Sequence, residues 1–298
     1  LDALWQGLMA MGGGWIIDLD IQRFFDDVDW EHLRSFLDQR VRDGVIRRAI
    51  GKWLNAGVME SGEVSHPDRG TPQGGVVSPV LSNLYLHEVL DLWFEHEVKP
   101  RLRGRAFEIR FADDAALAFE REEDARRVLA VLSKRFEKYG LRLHPEKTRL
   151  VDFRSPPRAG GGGSQRERSF ALLGFTHFWG RSRKGRWVVQ RKTAKDRFTR
   201  ALREIGRWCR AHRHWPVAAQ QAALHRKLMG HYAYYGITGN GRALARFLYE
   251  VRRLWRKWLN RRSWHARMTW DKFVRLATRY PLPLPRVVHS VYRRAATP

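Results

Sequence analysis

Asp18 and Asp20 stand two residues apart in WIIDLDI, and Asp113 and Asp114 stand side by side in FEIRFADDAALAF. Period-two spacing in a strand sends Asp18 and Asp20 to one face. The second pair falls between two apolar runs, where a hairpin turn is expected. Carboxylates beside buried apolar residues are costly unless a cation compensates them. If the two strands are neighbours, three or four carboxylates converge into a hard-oxygen site of the kind Mg²⁺ takes. Two such ions about 3.5–4 Å apart can hold the attacking hydroxyl and the leaving oxygen of a phosphoryl transfer. The same acids could instead cap turns or pair with Arg23 and Arg110. Residue type and spacing leave both readings open.

The elements that must position these acids follow from periodicity and punctuation. GGGWIIDLDI (12–21) predicts a strand after a glycine-rich turn, so that the chain enters almost directly into a strand. Helices are expected over 29–39, 44–56, 78–98 and 122–139, with a Gly/Pro loop, GTPQGGVVSP, at 70–79 and a short strand in TRLVDF. RSPPRAGGGGSQRERS (154–169) has the composition of a flexible Gly/Pro/Arg-rich insertion. FALLGFTHFWGRSRKGRWVV predicts a hairpin with a basic tip, and helices are expected over 192–213, 217–235, 241–261 and 268–279. Strands crossed by helices and then helices alone make an α+β domain followed by a helical one.

Charge divides along the same line. Of 56 Lys+Arg and 31 Asp+Glu, residues 1–153 hold 22 basic and 26 acidic side chains, a net of −4. Residues 154–298 hold 34 basic and 5 acidic, a net of +29. That excess repels itself unless it meets a polyanion, and nucleic acid is the natural one. Interleaved Trp208, Trp215, Tyr232, Tyr234, Tyr235, Trp255 and Trp258 could stack bases, although most rings in such helices serve as core. No long apolar span or signal peptide points to a membrane. A single cysteine, Cys209, leaves no internal disulfide and fits a reducing, bacterial cytoplasm.

Five ordered motifs resolve the ambiguity of the acids. DLDIQRFFD, GTPQGGVVSPVLSNLYL, FADD, LRLHPEKTRLVDF and FALLGF resemble the successive palm motifs of group II intron reverse transcriptases and maturases. GHYAYYGITGN and LPRVVHSVYRR resemble that family's thumb and maturase region, domain X. The resemblance implies a polymerase palm, a small antiparallel sheet backed by helices, over 1–153. After the insertion, 170–190 would end the palm in a basic hairpin, and 191–298 would form an all-helical thumb and domain X. It implies an RNA-directed DNA polymerase using two Mg²⁺ ions, held by Asp20, Asp113, Asp114 and the backbone carbonyl of Ile21. Asp18 would be a supporting residue. Phe25 would lie under the incoming sugar and exclude a 2′-hydroxyl, Gln73 would position the dNTP or template, and Lys147 would approach the triphosphate.

The partners implied are group II intron RNA, an RNA template, a DNA primer or target, and dNTPs. Arg181, Arg183, Lys184, Arg186, Arg191, Lys192 and Lys195 are the residues expected on RNA backbone. Only LDALWQGLMAMGG precedes the strand that carries the first motif, where the family carries a fingers region. An N-terminally truncated member is therefore expected, with an RNA-binding splicing cofactor lacking polymerase activity as the alternative function.

Overall fold

WIIDL is apolar at successive positions, so its strand must be covered on both faces. The computed structural model describes residues 1–56, 69–71, 76–155, 168–263 and 267–290, and the backbone alone of 58–60 and 63–65. A helix, α1 (Asp2–Met11), precedes the strand, where the residue pattern predicted almost none. Leu4 and Leu8, four residues apart on one helix face, are fully buried and account for it. The helix ends at Gly12, in the left-handed region with φ 75°.

β1 (Trp15–Leu19), β2 (Ile21–Gln22), α2 (Phe24–Asp27), α3 (Trp30–Asp38) and α4 (Gly44–Leu54) follow, then a short hairpin, β3 (Val58–Glu60) and β4 (Glu63–Ser65). α5 (Ser78–Leu86) runs on through two π-helical stretches, His87–Asp91 and Phe94–Val98, where a single α-helix was expected. β5 (Ala106–Phe111), β6 (Asp114–Phe119), α6 (Glu122–Lys138), β7 (Arg142–Leu143) and β8 (Arg149–Asp152) come next. The expected two-stranded hairpin has three strands: β9 (Phe170–Leu172), β10 (Phe175–Arg181) and β11 (Trp187–Thr193). The chain ends in α7 (Lys195–Ala211), α8 (Val217–Tyr235), α9 (Gly241–Leu259) and α10 (Trp270–Arg279). The α+β class expected from the residue pattern holds. Among the described residues, no helix is long and apolar enough to cross a membrane.

The chain forms two compact units, Leu1–Leu173 with Phe178–Val189, and Gly174–His177 with Gln190–Pro298. In the first, a four-stranded antiparallel sheet has the order β5-β6-β1-β8. One face sends Ile17, Leu19, Ala115, Leu117 and Phe119 into a core with the helices from α3 to α6. The other sends Ile16, Ala116, Ala118 and Val151 against Leu4, Leu8, Phe170 and Trp179. Each large side chain so buried contributes about 1.5–3 kcal/mol before entropy is counted. The glycine run before β1 is required by this packing: a Cβ on Gly13 would sit 2.2 Å from the carbonyl oxygen of Phe153.

The second unit is a helical core around Trp255, fully buried, whose indole Nε1 donates to Gln220 Oε1 at 2.9 Å. Tyr232 is likewise buried and donates to the carbonyl of Pro283 at 3.2 Å, holding the chain beyond α10 on α8.

Candidate active site

The ladder beside β1 decides which carboxylates meet. β1 runs antiparallel to β6 in the register Ile16↔Ala118, Asp18↔Ala116 and Leu19↔Ala115. The ladder ends there; carried on by one residue, its register would set Asp20 level with Asp114, the first residue of β6. Opposed residues of antiparallel strands share a face, so Asp18, Asp20 and Asp114 continue the face begun by Ile16. That face is closed at Ile16, half-buried at Asp18 and Asp20, and open at Asp114. Asp113 is exposed in the two-residue turn, after Ala112, which is held in the left-handed region with φ 54°.

Lys147 supplies a cation beside Asp20, its Nζ 3.4 and 3.5 Å from the two carboxylate oxygens. The turn that carries it docks on the same residue. His144 N donates to the Asp20 carbonyl at 2.8 Å and Thr148 Oγ1 donates to it at 3.1 Å. Ile21 is paired with Leu143 between β2 and β7, its side chain buried. The two arginines of the structural reading are engaged elsewhere: Arg23 with Asp26 at 3.5 Å, and Arg110 with Asp91 at 2.6 Å. Asp18 lies opposite Arg149 of β8, which reaches it at 3.2 Å and also donates to the carbonyl of Ser169 at 2.8 Å. Burial pushes the Asp18 carboxyl up to about 6 against the pull of Arg149, and the charge of Asp114 pushes the same way. Sequence reasoning passed over Arg149, whose one signal was its place directly after HPEKT.

The donor set is carboxylate oxygen at an open edge, which suits a hard divalent cation. Among the described residues, no three His, Cys, Asp or Glu side chains are gathered closely enough to hold one.

Phe25 lies half-buried in α2, its ring 5.3 Å from that of Phe24. The start of the GTPQGG loop closes over it. Thr71 N donates to the Phe25 carbonyl at 2.7 Å, and Trp30 Nε1 donates to the Gly70 carbonyl at 2.5 Å. Gly70, with φ 84°, must be glycine here, because a Cβ would lie 2.7 Å from the Asp26 carbonyl oxygen. Gln73 and residues 156–167 of the insertion lie outside the described residues.

Arg181, Arg183, Lys184 and Arg186 are exposed at the tip of the β10–β11 hairpin, and Lys192 and Lys195 are exposed further on. Arg191 is 5% exposed, so the RNA-facing role expected of it lacks the surface. Strand alternation explains the miss: Arg191 and Thr193 turn inward on β11 while Lys192 turns outward. Of the aromatic side chains in the basic half, Tyr232 and Trp255 are core, whereas Trp215 and Tyr234 are exposed.

A second group of acids sits behind the turn. Glu108 of β5 is pushed up to about 8, first by burial and then by the charge of Asp91; Arg110 opposes the shift and Glu95 adds to it. Between its ordinary value of 4.5 and about 8, the folded chain holds a proton that the unfolded chain has released. Stability therefore falls as pH rises through that window and levels off above it. Glu108→Gln should remove this component, so its melting midpoint should gain on the wild type between pH 5 and pH 8. Parallel thermal-denaturation profiles would sink the assignment.

A family profile described as "Reverse transcriptase (RNA-dependent DNA polymerase)" matches residues 10–177. The group II intron-encoded protein LtrA of Lactococcus lactis subsp. cremoris is 32% identical over 134 residues, which is 42% of this chain and 22% of that protein. An uncharacterized 91 kDa protein in the cob intron of Schizosaccharomyces pombe is 38% identical over 85 residues, 28% of this chain and 10% of that protein. The matches thus span less than a quarter of either relative. Among solved structures, apo telomerase from Candida tropicalis, truncated from its C-terminal domain, is similar at 13% identity and a TM-score of 0.46, covering 59% of this chain and 38% of that one.

Proposed function

Because this chain belongs to the reverse transcriptase (RNA-dependent DNA polymerase) family, with relatives among group II intron-encoded proteins, we propose that it copies RNA into DNA at Asp20, Asp113 and Asp114 and binds group II intron RNA. The observation that supports this reading most is the β1–β6 ladder, whose last pair, Leu19↔Ala115, stops one residue short of both Asp20 and Asp114.

Reverse transcriptases depend on a divalent cation. The side chains of Asp20, Asp113 and Asp114 would have to draw closer together than they stand here; with the Ile21 carbonyl they would then hold two Mg²⁺ ions, which when bound would activate the primer 3′-hydroxyl and offset the charge of the departing pyrophosphate. Lys147, with a side chain 60% exposed, has room to turn from Asp20 toward that pyrophosphate and stabilise its developing charge. Phe25, under the loop start at Gly70–Thr71, would occupy the space a 2′-hydroxyl needs, and Gln73 would position the incoming nucleotide or template. The first unit would be the palm and the second the thumb and domain X. Arg181, Arg183, Lys184 and Arg186 at the hairpin tip of the first unit, with Lys192 and Lys195 of the second, would meet phosphates, while Arg191 would serve the fold.

Primer extension on an RNA template with dNTPs and Mg²⁺ tests the polymerase directly. Within it, Phe25→Ala should raise kcat/KM for ribonucleotides relative to deoxynucleotides by roughly tenfold or more, since the lost ring is what discriminates. An unchanged ratio would remove Phe25 from the nucleotide site.

A further inference from the structure

The turn that carries Asp113 and Asp114 is conformationally costly, since Ala112 adopts a positive φ that side chains rarely take. Such a turn persists only where its surroundings hold it. Besides the Phe111↔Asp114 pair that closes it, one guanidinium reaches the turn. Arg110 Nη1 donates to the Ala112 carbonyl at 3.0 Å and to Asn83 Oδ1 at 3.0 Å. Its Nε and Nη2 donate to the two oxygens of Asp91, each at 2.6 Å. The Arg110 side chain is 12% exposed, and this fork is the planar two-bond geometry that only arginine forms.

The helix is shaped to receive it. Eight residues of α-helix turn about 80° beyond two full turns, which would set Asn83 and Asp91 on different faces. The π-helical stretch His87–Asp91 takes in more residues per turn, and both side chains meet the same guanidinium. Irregular helix of this kind is frequent at functional sites. His87 Nδ1 lies 3.2 Å from Asp91 Oδ2, the oxygen that also accepts from Arg110 Nη2.

We propose that Arg110, seated on Asp91 and Asn83, is the positioning residue that fixes the Ala112–Asp114 turn and so sets Asp113 and Asp114 relative to Asp20. The inference rests on reading those aspartates as the cation-holding carboxylates. Arg110 touches no reacting atom; it acts through the backbone of Ala112.

The test uses the full chain and three readouts: Mn²⁺ affinity by electron paramagnetic resonance, amide exchange across residues 110–115, and the melting midpoint. Arg110→Lys keeps the charge facing Asp91 but loses the fork. It should weaken Mn²⁺ binding about fivefold or more and speed exchange of the turn about tenfold, since three of four directed bonds disappear. Asp91→Asn should do the same. Asn83→Ala, at an exposed position that folding tolerates, should give a smaller change in the same direction. Unaltered exchange and Mn²⁺ affinity in all three variants would overturn the proposal, and so would changes that merely track a fall in melting midpoint. Asp113→Ala separates the two readings. If it leaves Mn²⁺ binding intact, the carboxylate site is wrong, while turn exchange in the Arg110 variants still judges the brace.

Discussion

Asp113→Ala should abolish primer extension on RNA, a loss of roughly 10³-fold or more, because on the proposed reading its carboxylate holds a catalytic cation. The same variant should bind RNA within about twofold of the wild type and melt at nearly the same temperature, as expected for an exposed turn residue outside the core. Asp113 carries negative charge, so its removal also cannot weaken attraction to phosphate. The comparison therefore separates chemistry from binding. Residual extension within tenfold of the wild type would remove Asp113 from the site, and an equal loss of RNA binding would deny the division of labour. Asp114→Ala should match it in activity, with some added cost to the fold, since Asp114 begins β6 opposite Phe111.

RNA affinity should collapse with salt. A surface that neutralises 6–10 phosphates loses roughly 10³–10⁵ in affinity between 50 and 200 mM salt through counterion release. Residues 154–298 carry 34 basic against 5 acidic side chains, and Arg203, Arg210, Arg242, Arg246 and Lys257 are exposed on α7 and α9. Internal pairs such as Arg207–Glu204 and Arg253–Glu250 can occupy few of these cations. Replacing Arg181, Arg183, Lys184 and Arg186 together by Ala should lower the slope of log K against log salt by up to about 3–4, roughly 0.7–0.9 for each phosphate no longer neutralised. Filter binding across a salt series measures both quantities. A flat response would mean that the basic half is not the RNA surface. Arg191→Ala should instead cost stability, since its side chain is buried.

Much of this was legible before any fold was known, because it is local. Period-two and 3.6-residue patterns, a glycine-rich turn and a charge count are all read within a few turns of chain, and they placed most strands and helices to within a few residues. The family itself was legible from five short motifs. What failed locally was also informative. α1 was missed because ten mixed residues carry a weak pattern, and only the cover they give to Ile16 makes them a helix. The π-helical turn after α5 has no signature in HEVLD, since its cause is a bond to a strand nineteen residues on. Arg191 reads as one more cation in a basic run and is buried by its strand's alternation.

The site's geometry belonged wholly to the tertiary structure. Lys147 reaches Asp20 across 127 residues and Arg149 reaches Asp18 across 131. Those meetings depend on the strand order β5-β6-β1-β8, which no window of sequence contains. Register completes it. A slip of one residue between β1 and β6 would turn Asp18 and Asp20 to the opposite face from Asp114. The apolar residues alternating with them forbid that slip, because it would carry Ile17 and Leu19 out of the core. The chain thus names its carboxylates by type and spacing, while the burial of their neighbours sets them face to face.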